Sequence, residues 1–178
     1  IMPSLVGSEM CIRDSAGTVG LMMSKILKVK NKESLKGAID LGIAMQLTNI
    51  ARDVIEDKKR DREYIEFSFS SIKDTINSAE TFYEKSFFAI SSIPIKSRFS
   101  VIVARRVYKG IGEYIIKQGN IEKYRNAGKV YVPMPIKILE TILSVLDFLQ
   151  LLFVKNISYY NNDNHSILNQ EINLNERI

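Results

Sequence analysis

The stretch QLTNIARDVIED, Gln46–Asp57, decides how this chain folds. Apolar residues recur every three or four positions through it and its flanks: Ile39, Ile43, Leu47, Ile50 and Val54. Such spacing is typical of a helix that buries one face. It predicts a helix from Leu35 to about Arg60, with Ser34 as its N-cap.

The rest of the chain repeats this helical pattern. Further helices are predicted over residues 16–29, 72–93, 94–118 and 134–155, with a loop at 61–71 and a basic connection at 118–133. Only four prolines and nine glycines interrupt the 178 residues. No segment alternates as a strand does, so we predict an all-α helix bundle.

The last predicted helix is strongly apolar, but Lys137, Glu140 and Asp147 interrupt it. One charge near the centre of a bilayer costs about 2.5–3.5 kcal/mol on insertion scales. We therefore favour a core helix, ahead of a helix lying at a membrane surface and a membrane span.

Composition sets wide limits on function. The net charge of +5 suits anionic ligands, a membrane surface or nucleic acid, and selects none of them. The single cysteine, Cys11, excludes a disulfide or a multi-thiolate metal site within the chain. The Asn-rich segment 158–178, which holds the only histidine, His165, is predicted to be a disordered, solvated tail.

The first fifteen residues, IMPSLVGSEMCIRDS, have no helical period and no features of a signal peptide. The string LVGSEMCIRD resembles a translated sequencing adapter, so residues 1–15 are interpreted as a foreign leader. The natural chain is then expected to begin further upstream, and residues 16–157 would be the C-terminal part of a helical domain.

The central helix carries a polar stripe. Taking Gln46 as zero, a turn of 100° per residue places Asn49 at about −60°, Asp53 at about −20° and Asp57 at about +20°. The apolar face lies at about 40–100°, so the stripe borders that face instead of opposing it. Carboxylates four residues apart repel, and burying them is costly unless they are paired.

A divalent cation would resolve this cost, because Mg²⁺ prefers carboxylate oxygens, phosphate oxygens and water. Five basic residues surround the acids: Arg52, Lys58, Lys59, Arg60 and Arg62. Such cations suit a metal–diphosphate site, whose excess negative charge needs donors. The alternative is an exposed helix end with pairs such as Asp53 or Glu56 to Arg60.

The run LGIAMQLTNIARDVIEDKKRDREYI resembles the second aspartate-rich signature of the squalene and phytoene synthase family. AGTVG (16–20), ARRVYKGIGEYI (104–115) and YRNAGKVYVPMPIK (124–137) resemble segments before and after that signature. The resemblance covers roughly residues 16–140. It implies an all-α isoprenoid-synthase fold around a deep apolar cavity, and Mg²⁺-dependent head-to-head condensation of two prenyl diphosphates.

The resemblance also implies site residues. Asn49, Asp53 and Asp57 would be metal ligands for Mg²⁺, with Mn²⁺ as an alternative ion. Asp53, Asp57, Arg52 and Tyr108 would be catalytic. Substrate would be bound by Gln46, Asn49, Arg52, Arg62, Tyr64 and Tyr108. Tyr83, Phe87 and Phe88 are candidates for the walls that keep water from a carbocation.

Three departures from the family pattern matter. The first aspartate-rich motif, which would lie upstream of AGTVG, is absent, so the fragment is expected to be inactive. Tyr64-Ile65-Glu66 replaces the usual Tyr-Leu-Pro. The C-terminal segment is divergent, which weakens the assignment of Arg125, Lys129 and Lys137 to the site.

A phytoene synthase-like enzyme of carotenoid biosynthesis using geranylgeranyl diphosphate is the leading hypothesis. A squalene or diapophytoene synthase using farnesyl diphosphate is the alternative, with NADPH needed only for a squalene-type reduction. A non-catalytic helical assembly module is the alternative of another class, although it should have lost the acids. Nucleic acid is not expected, because basic and acidic residues interleave. We expect a cytoplasmic protein with peripheral contact to the inner membrane face.

Overall fold

A computed structural model describes residues 12–154, apart from the side chain of Arg13. A π-helical turn, Arg13–Gly17, leads into the first helix. The other elements are α1 (Thr18–Ile26), α2 (Lys32–Lys58), α3 (Phe69–Ser86), a 3₁₀ turn (Phe88–Ser92), α4 (Ile95–Ile116), α5 (Ile121–Ala127) and α6 (Met134–Leu152). No strand occurs in this described part, which confirms the all-α prediction.

The central helix, α2, begins three residues earlier than predicted. Its N-cap is Asn31, whose side-chain oxygen accepts from the main-chain N–H groups of Glu33 and Ser34 at 2.9 and 3.3 Å. The predicted N-cap, Ser34, is wrong. That residue lies inside the helix, where its hydroxyl contacts the Ser92 hydroxyl at 2.7 Å. Asn31 has extended backbone angles, which direct its side chain towards the first free N–H groups.

α2 is the axis of the bundle, with α1, α3 and α4 packed around it. One buried cluster surrounds the first half of α2, and a second surrounds its last turns and the ends of α4 and α5. Tyr108 of α4 contacts both clusters. α1 lies against α2 so closely that a Cβ at Gly20 would be 2.1 Å from the carbonyl oxygen of Ala38. Glycine is therefore required at this crossing.

The short helix α5 lies in the segment that the sequence predicts as a connection. Asn120 caps it by accepting from the main-chain N–H of Lys123 at 2.8 Å. Tyr124 is fully buried and donates its hydroxyl to the carbonyl oxygens of Ala51 and Arg52, each at 2.9 Å. A helix of seven residues is too short for a periodic signal, which explains why it was missed.

The final helix, α6, packs mainly on α4 and is not the predicted core helix. Only Ser144 and Leu151 are buried along it. Arg106 of α4 reaches the acids that face the bundle, Glu140 and Asp147, at 2.8 and 2.7 Å. From the sequence these acids are predicted to interrupt an apolar helix, but in the structure they attach its inner side to α4.

Within residues 12–154, no helix has both the length and the apolar content needed to cross a bilayer. The predicted tail, 158–178, lies outside the described residues, as do residues 1–11 of the predicted leader. The interpretation of the leader as foreign stays a prediction.

Candidate functional site

The polar stripe of α2 lies at the edge of the bundle's interior. Gln46, Asn49, Asp53 and Asp57 are all half-buried. The side chain of Asp53 is 20% exposed, so it is neither in bulk solvent nor sealed in the core. This placement agrees with the angles predicted from the sequence.

Asp53 is held by two cations. Arg52 makes a forked pair with it, Nε to Oδ1 and Nη2 to Oδ2, both at 2.8 Å. Lys129, from the segment after α5, places Nζ 3.1 Å from Oδ1. Burial acts to raise the pKa of Asp53, but the hydrogen bonds and charges of Arg52 and Lys129 outweigh it and hold that pKa below its usual value. Asp53 is therefore ionised at neutral pH.

Lys129 also bridges to Glu56, with Nζ 3.0 Å from Oε2. Hydrogen bonds to Glu56 and Asp53 raise the pKa of the Lys129 ammonium. The pairs to Arg60 considered from the sequence do not form, and Arg60 is exposed. The partner of both acids comes from a distant segment, which no local charge pattern could have identified.

Asn49 supplies a test of metal fit. Its Oδ1 atom is buried and has no hydrogen-bond partner among the described residues. A buried oxygen without a donor, one turn from an ionised carboxylate, is the type of ligand that a hard cation takes. The oxygen donors of Asn49, Asp53 and Asp57 are of the type that Mg²⁺ takes, and in this structure those of Asp53 are paired with Arg52 and Lys129. No three histidine, cysteine or acidic side chains converge on one point in residues 12–154.

Arg62 and Tyr64 share a crevice with Asp57, and Asn49 does not line that crevice. They line a small crevice beside the last turn of α2, together with Ile50, Val54 and Phe67. Phe67 lies between two cations, with Lys58 Nζ 5.4 Å and the Arg125 guanidinium carbon 5.2 Å from its ring centroid. The loop after α2 is therefore attached to α5 beside the stripe.

Tyr108 packs against both buried clusters and lies within electrostatic reach of Arg52. The pKa of Arg52 is raised first by its hydrogen bond to Asp53, with smaller contributions from Tyr108 and Tyr131. Tyr131 precedes α6 and had no role in the sequence analysis. Arg52 is thus paired with Asp53 and lies within electrostatic reach of Tyr108, and the catalytic roles of the three stay predictions.

Behind the stripe, Tyr83 is 1% exposed and its hydroxyl contacts that of Thr48 at 3.0 Å. Burial raises the pKa of the Tyr83 hydroxyl above its ordinary value. Arg105 donates from Nε and Nη2 to the carbonyl oxygen of Tyr83, at 3.1 and 2.9 Å. Its guanidinium carbon lies 4.9 Å from the centroid of the Phe87 ring. Phe88, a predicted wall residue, is 48% exposed.

An apolar cavity of about 300 Å³ lies between α1, α2, the 3₁₀ turn and α4. From α2 it is lined by Ser34, Gly37, Ala38, Leu41, Gly42 and Met45. With Gln46 again as zero, these six residues point between about 180° and −40°, centred near −110°. The stripe is centred near −15°, and none of Gln46, Asn49, Asp53 and Asp57 lines the cavity. The cavity thus lies against the first half of α2, before the stripe begins.

Comparison with known proteins identifies relatives of this chain. A family model described as squalene/phytoene synthase matches residues 10–65. A 15-cis-phytoene synthase of Enterobacter agglomerans is 30% identical over 126 residues, which is 59% of this chain and 43% of that protein. A 15-cis-phytoene synthase of Synechocystis sp. is 32% identical over 157 residues, covering 70% of this chain and 46% of that protein. The chain spans less than half the length of these curated relatives.

Proposed function

Because the chain belongs to the squalene/phytoene synthase family, we propose that it is part of a phytoene synthase-like prenyltransferase. The reaction would join two prenyl diphosphates head to head, with loss of diphosphate. Geranylgeranyl diphosphate is the proposed substrate. The observation that carries the proposal is the half-buried oxygen stripe on α2, with an apolar cavity against the first half of the same helix.

The polar end would receive the diphosphate. Asn49, Asp53 and Asp57 would hold Mg²⁺, which when bound supplies positive charge to the diphosphate leaving group. Arg52 and Lys129 lie within hydrogen-bond distance of Asp53, and each has further N–H donors to offer phosphate oxygens. Arg62 adds an exposed cation beside Asp57.

The apolar end would receive the prenyl chain. Ala38, Gly42 and Met45 present hydrocarbon or bare backbone to the cavity. Such a lining excludes water, which would otherwise capture an allylic carbocation. Tyr108 packs against the buried cluster around the first half of α2. Burial raises the pKa of the Tyr83 hydroxyl, so Tyr83 provides a polar group without a nucleophilic anion.

The test uses the protein expressed from its natural locus, including whatever sequence lies upstream. It is incubated with Mg²⁺ and either geranylgeranyl or farnesyl diphosphate, and the hydrocarbon is identified by mass. A product built from two geranylgeranyl units is expected. A product from farnesyl diphosphate alone would assign the squalene or diapophytoene alternative instead.

Variants connect the activity to the stripe. Asp53→Asn should abolish turnover while leaving the fold intact. Asp61→Asn is the matched control, because Asp61 is exposed beyond the helix end with φ 55°, a conformation that asparagine tolerates. Undiminished turnover in Asp53→Asn would refute its role, and a folded protein with no product from either substrate would refute the proposed reaction.

A further inference from the structure

Helix α5 is attached to α2 through the side chain of Tyr124. Among the residues of this seven-residue helix, only Tyr124 is buried. Glycines with positive φ lie close to both of its ends, Gly119 at 76° and Gly128 at 65°. A helix this short is not stable alone, and glycine allows the backbone at each end to take other conformations. The contacts of Tyr124 therefore have a large share in deciding where α5 lies.

The hydroxyl of Tyr124 sets the position of α5 along α2. It donates to the carbonyl oxygens of Ala51 and Arg52, each at 2.9 Å. Two acceptors on successive residues define a position along the helix axis to within about one residue, a rise of about 1.5 Å. Packing of the ring alone would not do so, because apolar contacts are non-directional. These two carbonyls come directly before Asp53 in the chain, and Arg52 also pairs with Asp53 through its side chain.

Lys129 follows Tyr124 by five residues and reaches the same part of α2. Its Nζ lies 3.1 Å from Oδ1 of Asp53 and 3.0 Å from Oε2 of Glu56. A lysine side chain is a flexible four-carbon stem, so its own conformation does not select these acids. The side chain of Lys129 is 28% exposed, and ion pairs of such groups are weak by themselves. The ammonium therefore depends on where the main chain of residues 124–129 lies.

From these contacts we propose that Tyr124 is a positioning residue. Its two hydrogen bonds hold the main chain at the register in which Lys129 faces Asp53, and they thereby present an ammonium donor to the diphosphate of the substrate. Tyr124 is fully buried, so it acts through Lys129 and not by contact with substrate. What Lys129 binds rests on the proposed function, whereas the effect of Tyr124 on the position of Lys129 does not.

Val130 supplies a competing explanation for the position of Lys129. It is 6% exposed, belongs to the same buried cluster as Tyr124, and adjoins Lys129 in the chain. Its apolar contacts limit how far Lys129 can move away from the bundle, but they do not fix a position along α2. If Val130 were sufficient, removing the Tyr124 hydroxyl would leave Lys129 in place. The two explanations thus differ in what they predict for Tyr124→Phe.

Lysine labelling of the 178-residue chain without ligand tests the position of Lys129. A water-soluble acylating reagent is added in limiting amount, and mass spectrometry gives the rate of modification at each lysine. In Tyr124→Phe, Lys129 should react about two- to fivefold faster, the factor that corresponds to release of a partly exposed ion pair. Lys123, which is exposed on α5, supplies the reference rate. An unchanged ratio of the Lys129 rate to the Lys123 rate would overturn the proposal.

Two control variants separate positioning from a general loss of stability. Tyr114→Phe alters a tyrosine that packs against the same cluster and whose hydroxyl has no hydrogen-bond partner among the described residues. Ser86→Ala removes a buried hydroxyl that donates to the carbonyl oxygen of Tyr83 at 2.9 Å, so it weakens the bundle elsewhere. Both should keep the Lys129 to Lys123 ratio of the unmodified chain. An equal rise in either control would indicate general loosening and would count against a specific role of Tyr124.

Binding of inorganic diphosphate in the presence of Mg²⁺ tests the consequence for the site, in the protein expressed from its natural locus. Tyr124→Phe and Lys129→Met should each raise the Kd, and the double variant should bind no more weakly than Lys129→Met, because both changes remove the same donor. Effects that multiply would show that Tyr124 acts apart from Lys129 and would refute the positioning role. If the unmodified protein binds no diphosphate, the proposed function fails, and the labelling result still decides whether Tyr124 positions Lys129.

Discussion

The ammonium of Lys129 lies 3.1 Å from Oδ1 of Asp53, and this contact joins the segment after α5 to the middle of the polar stripe. The same ammonium bonds to Glu56 at 3.0 Å. Arg52 holds Asp53 from its other side. The proposed metal-binding carboxylate is thus neutralised by the residues proposed to bind the diphosphate.

Removing Lys129 should separate metal binding from anion binding. In Lys129→Met we expect Mg²⁺ alone to stabilise the chain more than it does the unmodified protein, because a competing cation is gone from Asp53. Mg²⁺ with inorganic diphosphate should stabilise it less, because a phosphate donor is lost. Thermal unfolding with each addition measures both effects.

Lys123→Met is the control for that experiment, because Lys123 is exposed and has no ion pair in the described part of the chain. It should respond to both ligands as the unmodified protein does. Without ligand, Lys129→Met should cost less than about 1 kcal/mol, as partly exposed ion pairs do. Identical ligand responses in Lys129→Met would contradict a role for Lys129 at the site.

Tyr124→Phe should reduce stability at neutral pH by about 1 kcal/mol, because the hydroxyl bonded to the carbonyls of Ala51 and Arg52 is lost. Burial raises the pKa of Tyr124 above its ordinary value. The unfolded tyrosine ionises near pH 10, whereas the folded one stays neutral. The unmodified protein therefore exceeds Tyr124→Phe in free energy of unfolding by the full amount below about pH 10. This difference shrinks as the pH rises further.

Urea midpoints of the two proteins between pH 8 and 11 measure this convergence. Tyr83 also has a raised pKa, so both proteins should lose stability at high pH, and only their difference reports Tyr124. A difference that stays constant to pH 11 would show that the Tyr124 hydroxyl ionises equally in both states.

Gly20→Ala should destabilise the bundle by roughly 1–3 kcal/mol, because the added methyl group would meet the Ala38 carbonyl oxygen at 2.1 Å and force α1 away from α2. Gly110→Ala is the comparison. There a Cβ meets only a Val132 methyl group, at 3.4 Å, and alanine favours the helix by about 1 kcal/mol. Chemical denaturation measures both, and equal stabilities would contradict the close helix contact.

Arg106→Met should cost roughly 1–3 kcal/mol, because it leaves Glu140 and Asp147 half-buried without their cation. Lys109→Met removes a more exposed pair, that of Lys109 with Glu80, and should cost less than about 1 kcal/mol. Urea unfolding gives the free energies. Faster proteolysis within α6 of Arg106→Met would identify the helix that is released, whereas proteolysis at the unmodified rate would argue against that attachment.

Short-range patterns predicted much of the fold. The long helix through Gln46–Asp57 follows from its apolar spacing, and the stripe of Asn49, Asp53 and Asp57 follows from helical geometry. The N-cap at Asn31 and the short helix α5 did not follow. Several neighbouring polar residues can cap a helix, and about two turns of helix give no usable period.

The sequence by itself determined that this chain is helical and that its candidate oxygen ligands lie in one line, because both properties depend on residues within a few turns of one another. Tertiary structure alone decided that Lys129 reaches Asp53, that Tyr124 anchors α5 on α2, and that α6 turns its apolar side outward. These outcomes depend on which distant groups neutralise partly buried charges or bond to buried main-chain carbonyls. Since Arg106 holds both acids of α6, the apolar residues that would usually fill a core are left on the surface.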